Sequence, residues 1–240
     1  MSSHMPDSNA RETILENIRR ALHRESSTAV SPAALSSEVL AQNSLERSGN
    51  GDQNRAELIQ RFSAELTRVG GRFQRCNGED VAFDYIEHVA KSHNAKLVVS
   101  WDVPIFTGID LRAQLQKNGI AFEKATANMD LISKAAEADI GISGVDYALA
   151  DTGTLVLFAS QSQPRSISLL PPVHIAILKP EQVLPGLSEL FPLLGDEQSG
   201  QRNLSSAITF ITGPSRTADI ELKLVVGVHG PQELHVLLLD

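Results

Sequence analysis

The stretch Ala207–Pro231, AITFITGPSRTADIELKLVVGVHGP, decides the fold. An apolar run from Ile208 to Ile211 stops at Gly213-Pro214, and a polar loop, Ser215-Arg216-Thr217, follows. Two acids, Asp219 and Glu221, lead into a second apolar run, Leu224 to Val228, which also ends in glycines, with His229 between them. Short apolar runs bounded by glycine and proline read as buried strands. Strands that end in glycine-rich polar loops are how an α/β sheet presents a site at its edge.

Outward from this stretch the same punctuation recurs. Leu234–Leu239 reads as a final strand, and Val173–Leu178 as another behind Pro171-Pro172. Leu155–Ala159 is a strand preceded by the polar turn Asp151-Thr152-Gly153-Thr154, and Ile140-Gly141-Ile142 is a strand that ends at Ser143-Gly144. Ile120–Glu123, Lys96–Ser100 and the region Arg72–Arg75 are short strands, each paired with a helical period. Helices are predicted over Arg55–Val69, Glu79–Ser92, Ile109–Lys117, Asn128–Ala136 and Pro180–Phe191, with a polar loop from Leu193 to Asn203. In the first of them Leu58, Ile59, Phe62, Leu66 and Val69 share one stripe, and Gly70-Gly71 ends it. Alternating strands and helices with short links predict an α/β fold, a largely parallel sheet covered by helices. The strands of the second half follow one another directly, so some pairs are expected antiparallel and the sheet mixed.

Residues 55–240 therefore read as one α/β domain. Residues 1–54 read as an appendage: an amphipathic helix over Arg11–His23, with Ile14, Leu15, Ile18 and Leu22 on one face, then a linker rich in Ser, Ala, Asn and Gly. Its apolar face is expected to dock on its own domain, on a second copy in a homo-oligomer, or on a partner.

Composition narrows the function. The chain carries 21 Lys+Arg against 29 Asp+Glu, a net charge of −8, with no dense basic run, which argues against nucleic acid as a ligand. A single cysteine, Cys76, excludes a disulfide framework and a four-cysteine iron–sulfur cluster within this chain. Apolar stretches are strand-length and the N-terminus has no signal-peptide core, so a cytoplasmic protein without a membrane span is expected. None of the seven histidines stands at the helical spacing of a zinc pair, so no metal site is expected. G-x-G-x-x-G, P-loop and G-x-S-x-G patterns are absent, so neither a bound flavin or nicotinamide nor a nucleophile elbow is indicated.

What remains is a small-anion site. Gly213, Ser215, Arg216 and Thr217 can offer backbone N–H groups, hydroxyls and a guanidinium to a carboxylate or phosphate. The same residues also suit a plain turn with a capping hydroxyl and a surface arginine. Asp219 and Glu221 fall on one side of an extended chain, where Glu221 could serve as general base or nucleophile, or Asp219 could pair with Arg216 and leave Glu221 exposed. Asp151, Thr152, Gly153 and Thr154 form either a structural β-turn or a facing wall of the site. His229, before Gly230, is placed to handle a proton, while His174 and His235 lie inside strands and read as structural.

Three segments carry a resemblance: GISGVDYALADTGTLVL (Gly141–Leu157), LLPPVHIAIL (Leu169–Leu178) and ITGPSRTADIELKLVVGVHGP (Ile211–Pro231). Together they closely resemble the LUD-domain family, and the resemblance covers most of the chain. It implies a three-layer α/β/α fold of the kind shared by the sugar-phosphate isomerase and CoA-transferase superfamily. It also implies a part in the oxidation of L-lactate to pyruvate, alongside two partner proteins that carry the iron–sulfur clusters, with no cofactor in this chain. Where the family pattern reads Glu-Thr-Gly-Thr, this sequence has Asp151-Thr152-Gly153-Thr154, a carboxylate one methylene shorter. Two rivals stand beside that role. One is a stand-alone CoA-transferase- or isomerase-like enzyme using Glu221; the other is a ligand-sensing or scaffold protein without chemistry.

Overall fold

Leu234–Leu239 feeds two apolar layers in alternation. Leu234, Val236 and Leu238 enter one, and Leu237 and Leu239 the other. A strand buried on both faces belongs at the middle of a parallel sheet, and the computed structural model places it there. The structure describes residues 51–102, 106–126, 130–199, 205, 207–218 and 224–240. The Arg11–His23 helix, most of its linker, and Asp219 and Glu221 lie outside the described residues.

The first half alternates as the sequence predicts. It runs α1 (Gly51–Arg68), β1 (Arg72–Cys76), α2 (Glu79–Ser92), β2 (Leu97–Ser100), α3 (Leu111–Lys117), β3 (Ala121–Lys124), α4 (Leu131–Glu137) and β4 (Ile140–Gly144). The second half adds β5 (Tyr147–Leu149), β6 (Thr154–Phe158), a short α5 (Ser166–Leu169), β7 (Val173–Leu178), β8 (Val183–Leu184) and α6 (Leu187–Ser199). It closes with β9 (Ile208–Ile211), β10 (Arg216–Ala218), β11 (Leu224–Val226) and β12 (Glu233–Leu239). Six strands form one sheet in the order β1-β12-β7-β4-β2-β3, and every pair in it is parallel.

One face of this sheet packs on α2 and α3 through Ala82, Ile86, Val89, Leu111 and Leu115. The other packs on α1 through Ile59, Phe62 and Leu66, and on a second sheet through Ala148, Leu155, Leu157 and Val183. That second sheet has the order β8-β5-β6-β9, with α6 on its far side through Leu190 and Leu194. The α/β/α layering holds, and the mixed pairing is segregated into the smaller sheet, where β5, β6 and β9 run antiparallel and β5 and β8 parallel.

Two sequence expectations change. Among the described residues neither strand of the Ala207–Pro231 stretch joins the parallel sheet: β9 is the edge of the smaller sheet, and β11 pairs with β10 in an antiparallel ribbon. Helix Pro180–Phe191 is displaced. Pro180–Gln182 is a single 3-10 turn, Val183 and Leu184 pair with Ala148 and Leu149, and the helix begins at Leu187 and runs through Pro192 to Ser199. The claim of β5 on the Val183–Leu184 backbone outweighs the helical period there.

Candidate functional site

Helix α1 ends where the glycine-containing turns of the sequence converge. Its last turn closes with Gly71 N–H donating to Leu66 O at 2.9 Å, and Gly70 takes a φ of 88°. Three loops press on this end. Gly153, at φ 65°, lies so close to α1 that a Cβ would overlap Leu66 N and stand 2.7 Å from the Glu65 carbonyl carbon. At Gly213, φ 82°, a Cβ would stand 2.5 Å from Val69 O. The Arg216 guanidinium lies over Gly70, in the space a Cβ would fill. Carbonyls at a helix C-terminus carry partial negative charge, so Arg216 is also electrostatically suited to this seat.

The two turns that the sequence proposed as facing walls do meet. Thr152 Oγ1 donates to Thr154 Oγ1 at 2.8 Å, and Thr154 Oγ1 shares a hydrogen bond with Thr212 Oγ1 at 2.8 Å. The register beneath them is Leu155 opposite Ile211 across β6 and β9. Asp151 turns toward Gly186, whose Cβ would stand 2.6 Å from Asp151 Oδ2. Its backbone N–H donates to Pro185 O at 3.1 Å. Asp151 Oδ1 is shut off from solvent and accepts no hydrogen bond among the described residues.

The third loop closes on the second. Ser215 N–H donates to Pro231 O and Gly227 N–H donates to Ser215 O, both at 2.9 Å. A Cβ at Gly230 would stand 3.1 Å from Ser215 Cβ. His229 is exposed on this turn. The backbone share of an anion cradle is therefore smaller than the sequence suggests. Pro214 has no N–H, that of Ser215 is engaged, and Arg216 is paired with Val226 across the β10–β11 ribbon. An anion here would be held by side chains, with Arg216 the charged one. Thr217 lies on β10 in this ribbon.

All of this sits at the N-terminal ends of β1, β7 and β12, the edge opposite the one ligands usually occupy in such sheets. Gly70 and Gly71 precede Arg72, and Pro231 precedes Glu233 by two residues. Gln232 and Glu233 both donate their N–H to Pro172 O, at 2.8 and 3.2 Å. Sequence reading missed Gly70, Gly186 and Thr212 as parts of this junction. Gly70 was legible only as a helix stop, because its role as a seat for Arg216 comes from a residue far along the chain. Among the described residues, no group of three or more His, Cys, Asp or Glu side chains could hold a metal ion. Nor is any helix among them long and apolar enough to cross a membrane.

A six-stranded parallel sheet, helices on both faces and a smaller sheet buttressing three glycine turns define an α/β protein with its candidate site at a loop junction. The model of the LUD domain matches residues 59–239, and the chain belongs to that family. Lactate utilization protein C of Halalkalibacterium halodurans is 34% identical over 221 residues, covering 92% of this chain and 94% of that one. The Bacillus subtilis protein of the same name is 41% identical over 109 residues, 45% of each chain. Among solved structures, a DUF162 family protein from Deinococcus radiodurans superposes with a TM-score of 0.52 at 20% identity. That match covers 78% of this chain and 98% of that one, and it supports the fold.

Proposed function

We propose that this chain serves lactate utilization as a subunit of an L-lactate-oxidising assembly and binds a small carboxylate at the junction of its three glycine turns. Relatives named for lactate utilization, one of them matched over nearly its whole length, support the pathway. The one cysteine, Cys76, is buried and cannot by itself ligate a cluster, so electrons from the substrate pass to iron–sulfur partners. Asp151 carries the site assignment. A sealed carboxylate oxygen with no donor is costly unless something supplies one. The Thr152–Thr154–Thr212 hydroxyls link its turn to the loop that bears Arg216. In this reading Arg216 pairs with the ligand's carboxylate, Asp151 Oδ1 is uncovered as the ligand enters and accepts from its hydroxyl, and His229 exchanges a proton with solvent.

The seat of Arg216 on the end of α1 favours a second reading, a scaffold in which the arginine only ties loops together. The two part in one experiment. Lactate-dependent dye reduction is measured in extracts of a deletion strain complemented with wild type, Arg216→Lys or Arg216→Ala, together with the melting temperature of each purified chain. The carboxylate reading expects Arg216→Ala to lose at least tenfold in rate at a near-native melting temperature, with partial recovery in Arg216→Lys. Full activity in a folded Arg216→Ala would leave the scaffold reading.

A further inference from the structure

Beside the glycine turns lies a group of ionisable side chains that the proposed site does not use. Glu233, the first residue of β12, has its carboxylate shared by three elements. Arg72 Nη1 of β1 lies 2.6 Å from Oε2, His235 Nε2 of β12 lies 3.0 Å from Oε2, and His93 Nε2 at the end of α2 lies 3.4 Å from Oε1. The other ring nitrogen of His235, Nδ1, is 2.9 Å from the Tyr85 hydroxyl of α2. His235 is 1% exposed, whereas Arg72 is 57% exposed.

These contacts fix the protonation pattern. An ionised carboxylate only accepts, so Nε2 of neutral His235 carries the proton and donates it to Glu233. Nδ1 is then the acceptor, and Tyr85 O–H donates to it. A second proton on His235 would have to enter at Nδ1, where it would turn the Tyr85 hydroxyl around. It would also place a buried cation against Arg72, whose Nη1 is 3.4 Å from Nε2. Burial first, then the Arg72 and His93 charges, hold the His235 pKa below its ordinary value against the opposing pull of Glu233. His174, on β7, is a further titratable neighbour, and burial keeps it neutral. Cys76 of β1, in the same apolar cluster as Tyr85, has its thiol pKa raised by burial.

The cluster is joined directly to the Gly227–Pro231 turn. Glu233 follows Pro231 by one residue, Gln232, whose side chain occupies the space where a Gly227 Cβ would lie. Pro231 O in turn receives the N–H of Ser215.

We propose that Glu233, His235 and Tyr85 are positioning residues for the Gly227–Pro231 turn and form a pH-gated latch, closed while His235 is neutral and released when it is protonated. The closed arrangement refuses a proton that an opened one, with the imidazole in water, accepts. The latch is therefore fully held above the ordinary histidine pKa of about 6.5 and weakens as pH falls through the lower value of the closed form. The turn carries His229 and braces Ser215, so on the functional reading above the latch would couple ligand binding to acidity.

The test needs no substrate. Isotope-labelled full-length protein is titrated from pH 8 to pH 5 while NMR follows the His235 ring and the Gly227 and Gly230 amides. The expected result is one shared midpoint below 6.5, with amide exchange in the turn rising as His235 protonates. In Tyr85→Phe, loss of the hydroxyl that favours neutral His235 moves the shared midpoint upward. In His235→Gln the turn amides stop responding. The idea is overturned if His235 titrates while the glycine amides stay still, or if those amides move alike in wild type and His235→Gln. Adding L-lactate to the same samples keeps the two readings apart. Coupled titration without any lactate-induced shift would retain the latch and remove the ligand.

Discussion

Gly153 has no room for a side chain. Its φ of 65° is strained for any L residue, and a Cβ would run into the α1 backbone at Leu66. Gly119 shares the strain, at φ 74°, but has open space around it. The pair separates two terms. Gly119→Ala should lose about 1 kcal/mol, the backbone term alone, while Gly153→Ala should lose roughly 3 kcal/mol or more because helix and turn must part. Urea denaturation of the two variants reads the difference directly; equal losses would mean that α1 yields without cost. Asp151 gives the complementary case. Its Oδ1 has no partner among the described residues, so Asp151→Asn breaks no hydrogen bond at that atom. Stability should stay within about 1 kcal/mol of wild type or rise slightly, while growth on L-lactate falls. A variant that loses stability but keeps growth would make Asp151 structural.

Elements show where sequence reasoning reaches and where it stops. The strands of the parallel sheet were legible because each is an apolar run closed by glycine, proline or a polar turn, and Val173–Leu178 and Leu234–Leu239 are buried along nearly their whole length. The sheet to which a strand belongs is not written in such a run. Ile208–Ile211 reads like a core strand, yet its partner is β6, and Phe210 remains 46% exposed. The junction of the Asp151 turn with the Gly213 loop was posed by the sequence as a condition and supplied by long-range pairing. Glu79 shows the same limit at a helix start. Its period announced α2, but nothing in the sequence announced that its carboxylate would collect Thr107 N, Thr107 Oγ1, Gly108 N and Ile109 N at 2.7–3.0 Å. Those bonds, the backbone N–H of Thr107 foremost, hold the Glu79 pKa below the ordinary carboxylate value. The bracket is therefore intact above that ordinary value and lost as pH falls through the lowered one. Glu79→Gln should speed amide exchange at Thr107, Gly108 and Ile109 at neutral pH and leave β2 and β4 unchanged. Acid should do the same to wild type. Unaltered exchange in the variant would show that the loop holds itself.

For the whole molecule, acid is the natural stress because its sheet encloses a histidine. His174 lies on β7 between β4 and β12 and is fully buried; its Nε2 is 2.9 Å from Ser143 Oγ, and Nδ1 has no partner among the described residues. Burial, with a smaller push from His235, drives its pKa from 6.5 to about 3. The unfolded chain protonates this imidazole near its ordinary pKa and the folded chain does not. Its contribution to stability is therefore complete above about pH 6.5 and declines as pH falls toward the folded value. The slope from this one group approaches about 1.4 kcal/mol per pH unit between those limits. His235, also held below its ordinary pKa, adds to it with the same sign. His174→Gln keeps a side chain able to bond Ser143 and removes the titration. Unfolding free energies from urea melts at pH 7, 6, 5 and 4 should then fall less steeply in the variant, by close to the slope of one histidine. The variant starts lower at pH 7, because the glutamine packs less well, and the two curves converge as the wild type loses its advantage. Parallel curves would mean that the folded protein admits a proton to His174, and that the sheet opens more readily than its packing implies.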